Sequence, residues 1–539
     1  MARCFLRAVL GAQLGFCLAE TGNGACMVQL DESKVVRVSR TVTTLQVVSN
    51  PILDRTLQAP NGTRFVNPIH DTAWASLAEL GADLVRYVPW YPYPKKSVAE
   101  LDEPKDGKNT SWDFTHITPM LEDFMDATYG QNHSTVLNFA TQPCWLFGDA
   151  KNQTQNCSYP ENPDQSFFSY VRGSRANLLD PSAGDLAAYY SRLLSHIVKG
   201  EFTDEHGVTH KSGKGYSRFN RAHGHVWELF NEAEHGYTVD QYIHDYDVVV
   251  PAMIAAVGGP ENAPAFMGIG GATDAWVTPF LNGSKHSSHA PIDYVSLHYY
   301  AGCSNRTDPG TYSAGFFGGA RQFVEKLKAD IAARDASGYP QAKIDLDELG
   351  VIMPDDNNAS FGLDGNLPDI YWNAAGAFYA HLFATLAPMG VEVLGQSQLA
   401  GSPKIPEWGI PLPQYPSVSL LDWRTGLGNA RYWVLRLLIQ DFAVGDELLA
   451  TSVGCAQITA MAARTTGGGW KLLLVNQANS AQTVAIQGIQ QELQLRIVDE
   501  HSVQVASKDG IREAKLPGNA LVLNAFAVAV ASSATQLWI

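Results

Sequence analysis

The sequence predicts an α/β chain in which a closed (β/α)8 TIM barrel precedes a C-terminal β-sandwich joined by N-terminal strands. Three observations carry this expectation. Helix-to-strand steps recur at roughly 30 to 60 residues, the length of units whose parallel strands need crossover helices. After about residue 425 the rhythm changes to short strands broken by turn residues, Gly467-Gly468-Gly469 being the tightest turn. The 539 residues, 45% hydrophobic and 10% aromatic, suffice for a large core and a second domain.

The first segment, Val35–Val48, alternates and is rich in Val and Thr, so it reads as one or two strands. Ile69–Leu80 reads as a helix stopped by Gly81, and Asp83–Val88 as a short strand entering a Pro-Trp-Tyr-Pro-Tyr-Pro loop. The step repeats as helix Phe114–Tyr129 to strand Ser134–Ala140, Asp185–Lys199 to His225–Phe230, and Val239–Val257 to Ala265–Gly268. Strand Tyr294–Tyr299, helix Gly319–Ala333, strand Lys343–Leu346, helix Trp372–Leu386 and strand Val391–Leu394 complete the series. An open doubly wound sheet is the alternative. It is disfavoured because Gly268-Ile269-Gly270-Gly271 lacks the third glycine of a dinucleotide turn, and Gly213-Lys214 lacks a phosphate-loop frame. Helix Ala430–Asp441 leads to strands Ala456–Ala463, Trp470–Val475, Thr483–Ile486, Leu493–Val498 and Leu521–Val530. The expected organisation is a leader over 1–19, N-terminal strands over 20–50 packing on the sandwich, a barrel over 51–425, and the last helix with the sandwich over 426–539.

Charge narrows the partners. Thirty-eight Lys and Arg against 54 Asp and Glu give a net charge of −16, which offers no footprint for a phosphate backbone or an anionic lipid surface. Nucleic acid and membrane are therefore not expected partners, and nothing sets an oligomeric state. Twelve Trp, 21 Tyr and 22 Phe against 17% charged residues supply flat apolar surface that suits sugar rings, although core packing accounts for most of it.

Arg3 and Arg7 precede an apolar run from Ala8 to Ala19, interrupted at Gln13, which reads as a signal peptide. The expected destination is secreted or extracellular, with a vacuole or lysosome as the intracellular equivalent. Sequons at Asn61, Asn109, Asn132, Asn152, Asn156, Asn282, Asn305 and Asn358 accord with export. Loss of the leader removes Cys4 and Cys17 and leaves Cys26, Cys144, Cys157, Cys303 and Cys455. Cys144 with Cys157 is the preferred pair, a buried inert thiol is expected to remain, and the spacing fits no zinc site.

Barrel chemistry sits at the C-terminal ends of the strands. There, His225-Val226-Trp227-Glu228-Leu229-Phe230 runs into Asn231 and Glu232, and Ile344-Asp345-Leu346 runs into Asp347 and Glu348. Two carboxylates from different strands of one barrel mouth are a glycosidase's equipment: one protonates the leaving oxygen, the other attacks the anomeric carbon or activates water. His298 and Tyr300 end another strand on one face, where Tyr300 can bond the nucleophile and His298 a hydroxyl. Arg86, inside an apolar strand, needs a carboxylate, for which Glu348 or Glu228 would serve; Glu228 reads as a structural ion-pair partner. Trp90, Trp145 and Trp423 are candidates for stacking on sugars. His223 and His225 form a His-x-His pair without a third ligand, so no metal and no cofactor is expected.

In order, Trp227-Glu228-Leu229-Phe230-Asn231-Glu232, the helix from Tyr242, Gly268 to Ala272, Asp293 to Tyr300 and Asp347-Glu348-Leu349-Gly350 resemble the strand-4 to strand-7 motifs of glycoside hydrolase clan A. Family 39, the β-xylosidase and α-L-iduronidase family, is the closest in pattern. The resemblance implies Glu232 as acid/base, Asn231 as the residue holding the sugar 2-hydroxyl, and Glu348 as nucleophile of a retaining double displacement on an oligosaccharide, polysaccharide or glycoside. Two departures stand out: the family usually has Pro where Ala233 stands and Thr where Asp347 stands. Asp347 thereby competes for the nucleophile role, although strand parity would turn it away from Glu348. Burial beside Glu348 is expected to raise the pKa of Glu232. The alternatives are a β-glucuronidase or endo-glycanase of family 79 or 30 type, for which a basic subsite would favour uronic acids, and a carbohydrate-binding wall protein without turnover.

Overall fold

The computed structural model describes residues 24–90, 93–100, 111–148, 175–271, 274–488, 492–503, 505–516 and 518–533. The leader, Cys157 and the sequons at Asn109, Asn152 and Asn156 lie outside these residues.

Strand β1 (Cys26–Val38) stands apart from a closed parallel barrel made of β2 (Val42–Val48), β3 (Val85–Val88), β4 (Thr135–Leu137), β5 (Val226–Glu228), β6 (Ala265–Gly271), β7 (Tyr294–Ala301), β8 (Lys343–Val351) and β9 (Val393–Gln396). Each strand pairs with the next, and β9 closes on β2. The strands are short and almost wholly buried, as parallel strands covered on both faces must be. Around them run helices α1 (His70–Leu80), α2 (Thr118–Ala127), α3 (Gly184–Lys199), α4 (Val239–Val257), α5 (Gly318–Asp335), α6 (Ile370–Leu386) and α7 (Ala430–Asp441). Helix α1 stops where Gly81 turns left-handed, and α4 starts with a reciprocal Thr238–Gln241 capping box. No helix among the described residues is long and apolar enough to cross a membrane.

One boundary differs from expectation. The segment 20–50 does not pack on the sandwich as a whole, because Val42–Val48 pairs with β9 and β3 and is the first barrel strand. The Val- and Thr-rich run hides a break at Ser39–Arg40, where the chain passes from one sheet to the other. Its two halves bury differently: most of β1 is exposed along its second half, whereas β2 is buried throughout.

The C-terminal strands are β10 (Glu447–Val453), β11 (Ile458–Arg464), β12 (Trp470–Asn476), β13 (Gln482–Gln487), β14 (Leu493–Val498), β15 (Arg512–Leu516), β16 (Ala520–Leu523) and β17 (Val528–Ser533). With β1 they hydrogen-bond in the order β15-β14-β17-β12-β11-β10-β1-β13-β16. Strand β1 pairs antiparallel with β10 and parallel with β13, so it carries the sheet around one core that holds Val28, Leu472, Ile486 and Leu495. The opposite face, with Met461, Leu473, Val475 and Val528, packs into the same apolar cluster as the barrel helices. A disulfide joins Cys26 to Cys455 across 429 positions, a pairing that no local spacing announces. Cys144 is also disulfide-bonded, and its expected partner is outside the described residues. Cys303 is a free, half-buried thiol.

Candidate active site

Regular pleating would send neighbouring side chains to opposite faces, yet at two strand ends adjacent polar residues reach the same place. After β5, Phe230 and Glu232 both take left-handed backbone, with φ of 63° and 47°, which swings Asn231 and Glu232 to one cavity. Such conformations cost roughly 1–3 kcal/mol each and gather at functional sites. In β8, Ser296 faces Asp345 and His298 faces Glu348 on one side, while Leu346 and Leu349 face Leu394 and Gln396 on the other. Strand β8 therefore has one residue more than both neighbours, a bulge at Asp347–Glu348. The parity expectation for Asp347 is thus wrong: the bulge turns both carboxyl groups inward, against Arg86 and His298.

Arg86 organises the floor. Only 1% exposed, it donates from Nε to Glu228 Oε2 (2.5 Å), from Nη1 to Gln46 Oε1 (2.7 Å) and Glu348 Oε1 (2.8 Å), and from Nη2 to Asn231 Oδ1 (2.7 Å). Both carboxylates named as its possible partners are partners. A second chain reaches Glu348 from the other side. Gln46 Nε2 donates to Ser397 Oγ (2.6 Å), and the hydroxyl of Tyr300 lies 2.8 Å from both Ser397 Oγ and Glu348 Oε2. Tyr300 has one proton, which the carboxylate takes; the proton of Ser397 completes the other bond. Both oxygens of Glu348 are thereby fixed.

His298 lies between the two strand-end glutamates, with Nδ1 3.0 Å from Glu232 Oε1 and 3.6 Å from Glu348 Oε2. Burial opposes charge on its ring, but the surrounding carboxylates, Glu348 first, overcome this and push His298 up to about 10. The ring is an imidazolium near neutrality. Burial alone would lift Glu232, but the hydrogen bond and charge of His298, with His235 and Arg86 behind, hold it below the usual carboxylate range. The expected rise for Glu232 is therefore reversed, because a cation sits where only Glu348 was reckoned.

Further down, Asp345 and Asp347 are fully buried; Asp347 Oδ2 lies 2.9 Å from Arg86 Nε, while Asp345 Oδ1 has no hydrogen-bond partner among the described residues. Burial and the charge of Glu228 push Asp345 up to about 8, and burial raises Asp347 well above its ordinary value. Asp345 carries its proton near neutrality. Glu228 is the ionised member of this group, held below its ordinary value despite burial by Arg86, with Ser296 and Asn138 donating to its oxygens. Glu228 and Glu232 thus remain as anions against the cations Arg86 and His298.

Above this floor opens a cavity of about 130 Å³, lined by Asn231, Glu232, Tyr300 and Glu348 on the strand side and by Trp90, Gln398, Gln414 and Tyr415 among the loops. Trp90 and Tyr415 lie with ring centroids 6.2 Å apart. Two tryptophans expected here are elsewhere. Trp145 does not line the cavity, since its indole donates to the carbonyl of Glu100 at 3.1 Å; Trp423 is buried and donates to the carbonyl of Leu363. Arg86 and His298 support the cavity from behind rather than lining it. Gln46, Ser397, Gln398 and Gln414 escaped the sequence reading, because they lie on the first strand or in loops whose sequence matches no motif. Among the described residues, Glu232, His298 and Glu348 form the group with ligand atoms within 4.8 Å of one another. With its ring protonated, His298 makes that group a hydrogen-bonded ion cluster rather than a cation site.

The chain has the architecture of barrel glycosidases of known structure. It is similar to the α-L-arabinofuranosidase of Thermotoga maritima in complex with arabinose, at 12% identity and a TM-score of 0.57, covering 94% of this chain and 99% of that one. A glycoside hydrolase family 39 β-xylosidase from Caulobacter crescentus is 15% identical with a TM-score of 0.50, covering 94% and 99%. A family 30 subfamily 8 xylanase from Clostridium acetobutylicum is 11% identical with a TM-score of 0.52, covering 94% and 99%. Identities this low establish the shared fold, which is the fold that the clan A resemblance implied. Residues 456–531 match the family of the C-terminal immunoglobulin-like domain of D-apionate lactonase. No curated protein matches the sequence.

Proposed function

We propose that this chain is a secreted glycoside hydrolase that cleaves O-glycosidic bonds by retaining double displacement, with Glu348 as nucleophile and Glu232 as acid/base. The observation that carries the reading is the close approach of the two glutamates, one carboxylate oxygen of each lying within 4.8 Å of the other at the floor of one cavity. Retaining enzymes keep their carboxyl groups about 5–5.5 Å apart, whereas inverting enzymes need about 6.5–9.5 Å to admit a water. Among the described residues the immunoglobulin-like sheet contributes none to the cavity, which belongs to the barrel.

Arg86 and Tyr300 hold Glu348 in place by a hydrogen bond to each of its oxygens. The proton for the leaving oxygen is stored on His298, whose Nδ1 passes it to Glu232 as the bond breaks. Esterification of Glu348 removes the strongest charge holding that imidazolium. Glu232 then accepts a proton from the water that releases the sugar. Arg86 occupies the carbonyl oxygen of Asn231, which leaves the amide nitrogen to meet a sugar hydroxyl. The disulfides accord with an oxidising compartment, to which a leader ending at Ala19 would deliver the chain.

Kinetics on 4-nitrophenyl β-xyloside, β-glucoside and α-L-arabinofuranoside test the roles. Glu348→Gln should lose about 10⁴-fold or more in kcat, while Asp347→Asn, which keeps the shape of the side chain, stays within about tenfold of the parent. Azide should revive Glu348→Gly and give the inverted glycosyl azide. Normal turnover by Glu348→Gln, or azide rescue at position 347 instead, would overturn the assignment.

A further inference from the structure

Two glutamines at the loop wall of the cavity each have one hydrogen-bonding atom that no described residue uses. Gln398 and Gln414 are 1% and 3% exposed. Gln398 Nε2 faces the backbone carbonyl of Gln414 at 3.4 Å, which fixes the orientation of that amide and leaves Oε1 free. Neither Oε1 of Gln398 nor Nε2 of Gln414 has a partner among the described residues, although both side chains line the cavity. Buried polar atoms are almost always paired. Here one orphan is an acceptor and the other a donor, the two roles that a sugar hydroxyl fills at once.

The rest of the cavity limits what can bring those hydroxyls. Val48, Val88, Ile352 and Val418 are in its lining, and among the described lining residues there is no Lys, Arg or His. The cations nearby, Arg86 and His298, are engaged by Glu228, Asn231, Glu348 and Glu232. Among the described residues a sugar carboxylate would find no free counter-charge there, and burying one unpaired is strongly unfavourable. A volume of about 130 Å³ is well below the roughly 300–1,000 Å³ of sites for drug-sized ligands. It admits one ring.

We propose that Gln398 and Gln414 are the hydroxyl-reading, specificity-determining pair of a subsite for a single uncharged sugar ring. This rests on the glycosidase reading above and decides within it against uronic acids. The probes are 4-nitrophenyl β-xyloside with its monodeoxy analogues, and 4-nitrophenyl β-glucoside beside the β-glucuronide. The neutral glycosides should be cleaved in preference to the glucuronide. Gln398→Met and Gln414→Met, near-isosteres without the amide, should lower kcat/KM on the best neutral substrate about 10- to 100-fold. Each should leave one deoxy analogue, the one lacking the hydroxyl it reads, at the parent rate, with an unchanged thermal midpoint. Preference for the glucuronide overturns the proposal, as does an equal loss on every analogue. If the parent cleaves no glycoside, the hydrolase reading fails, and calorimetry with methyl β-xyloside and methyl β-glucoside then judges the pair. Binding that either Met variant abolishes supports it, and absence of binding to the parent overturns it.

Discussion

Asp345 is a carboxyl group that the fold keeps protonated, and that has a consequence for stability. Its folded value is raised to about 8 from an ordinary 3.8, so between those two pH values the native state holds a proton that the unfolded chain has released. Stability from this group is complete below about pH 4 and declines as pH rises toward 8, by about 1.4 kcal/mol per pH unit while one extra proton is retained. Urea midpoints measured from pH 4 to 8 should fall with rising pH, and Asp345→Asn should flatten that slope; an unchanged slope in the variant would place the titration elsewhere. Asp345 was visible in the sequence only as one acid in a strand. Glu232, Glu348, Asn231 and Tyr300 were legible as site residues because each is polar at the end of an apolar strand. Which acids would ionise was not, since that depends on Arg86 and His298 arriving from other strands.

The bulge in β8 depends on its neighbour. A Cβ on Gly395 in β9 would stand 3.0 Å from the carbonyl oxygen of Asp347 and 3.1 Å from its Cα, and backbone cannot yield as a side-chain tip can. Gly395→Ala should therefore displace the bulge and with it Glu348, lowering kcat/KM by about 10- to 100-fold, since a displacement near 1 Å suffices for such a loss. Circular dichroism and the thermal midpoint should change little beside the kinetics. Parent-level kcat/KM would mean that the bulge does not position Glu348 for turnover. The barrel strands and helices were legible from hydrophobic runs and glycine stops such as Gly81. The bulge was not, because an extra residue is defined by the register of two other strands. The same holds for β2: its Val and Thr alternate like those of β1, and only burial on both faces assigns it to the barrel.

At the scale of the molecule, the sheet is bound to the barrel by both ends of the chain, β1 leading into β2 and α7 leading into β10. One face of the sheet shares the barrel's apolar cluster, so the two parts form a continuous core. Within that joint lies a buried charged cluster. Asp441, at the end of α7 and 2% exposed, accepts from Lys471 Nζ at 2.9 Å and Arg496 Nη1 at 2.7 Å, on β12 and β14. Burial pushes its carboxyl up, against the pull of Arg496 and Lys471. Removing one member of a buried ion cluster leaves the others desolvated with less compensation, at a cost of about 3–5 kcal/mol. Asp441→Ala should lower the unfolding free energy by that amount while leaving KM unchanged in the folded fraction, because no cavity residue belongs to the joint. Replacing Lys471 and Arg496 by Met in the same chain should recover much of the loss, since apolar groups of similar volume need no counter-charge there. A loss under about 1 kcal/mol in Asp441→Ala would mean that apolar packing alone holds the sheet.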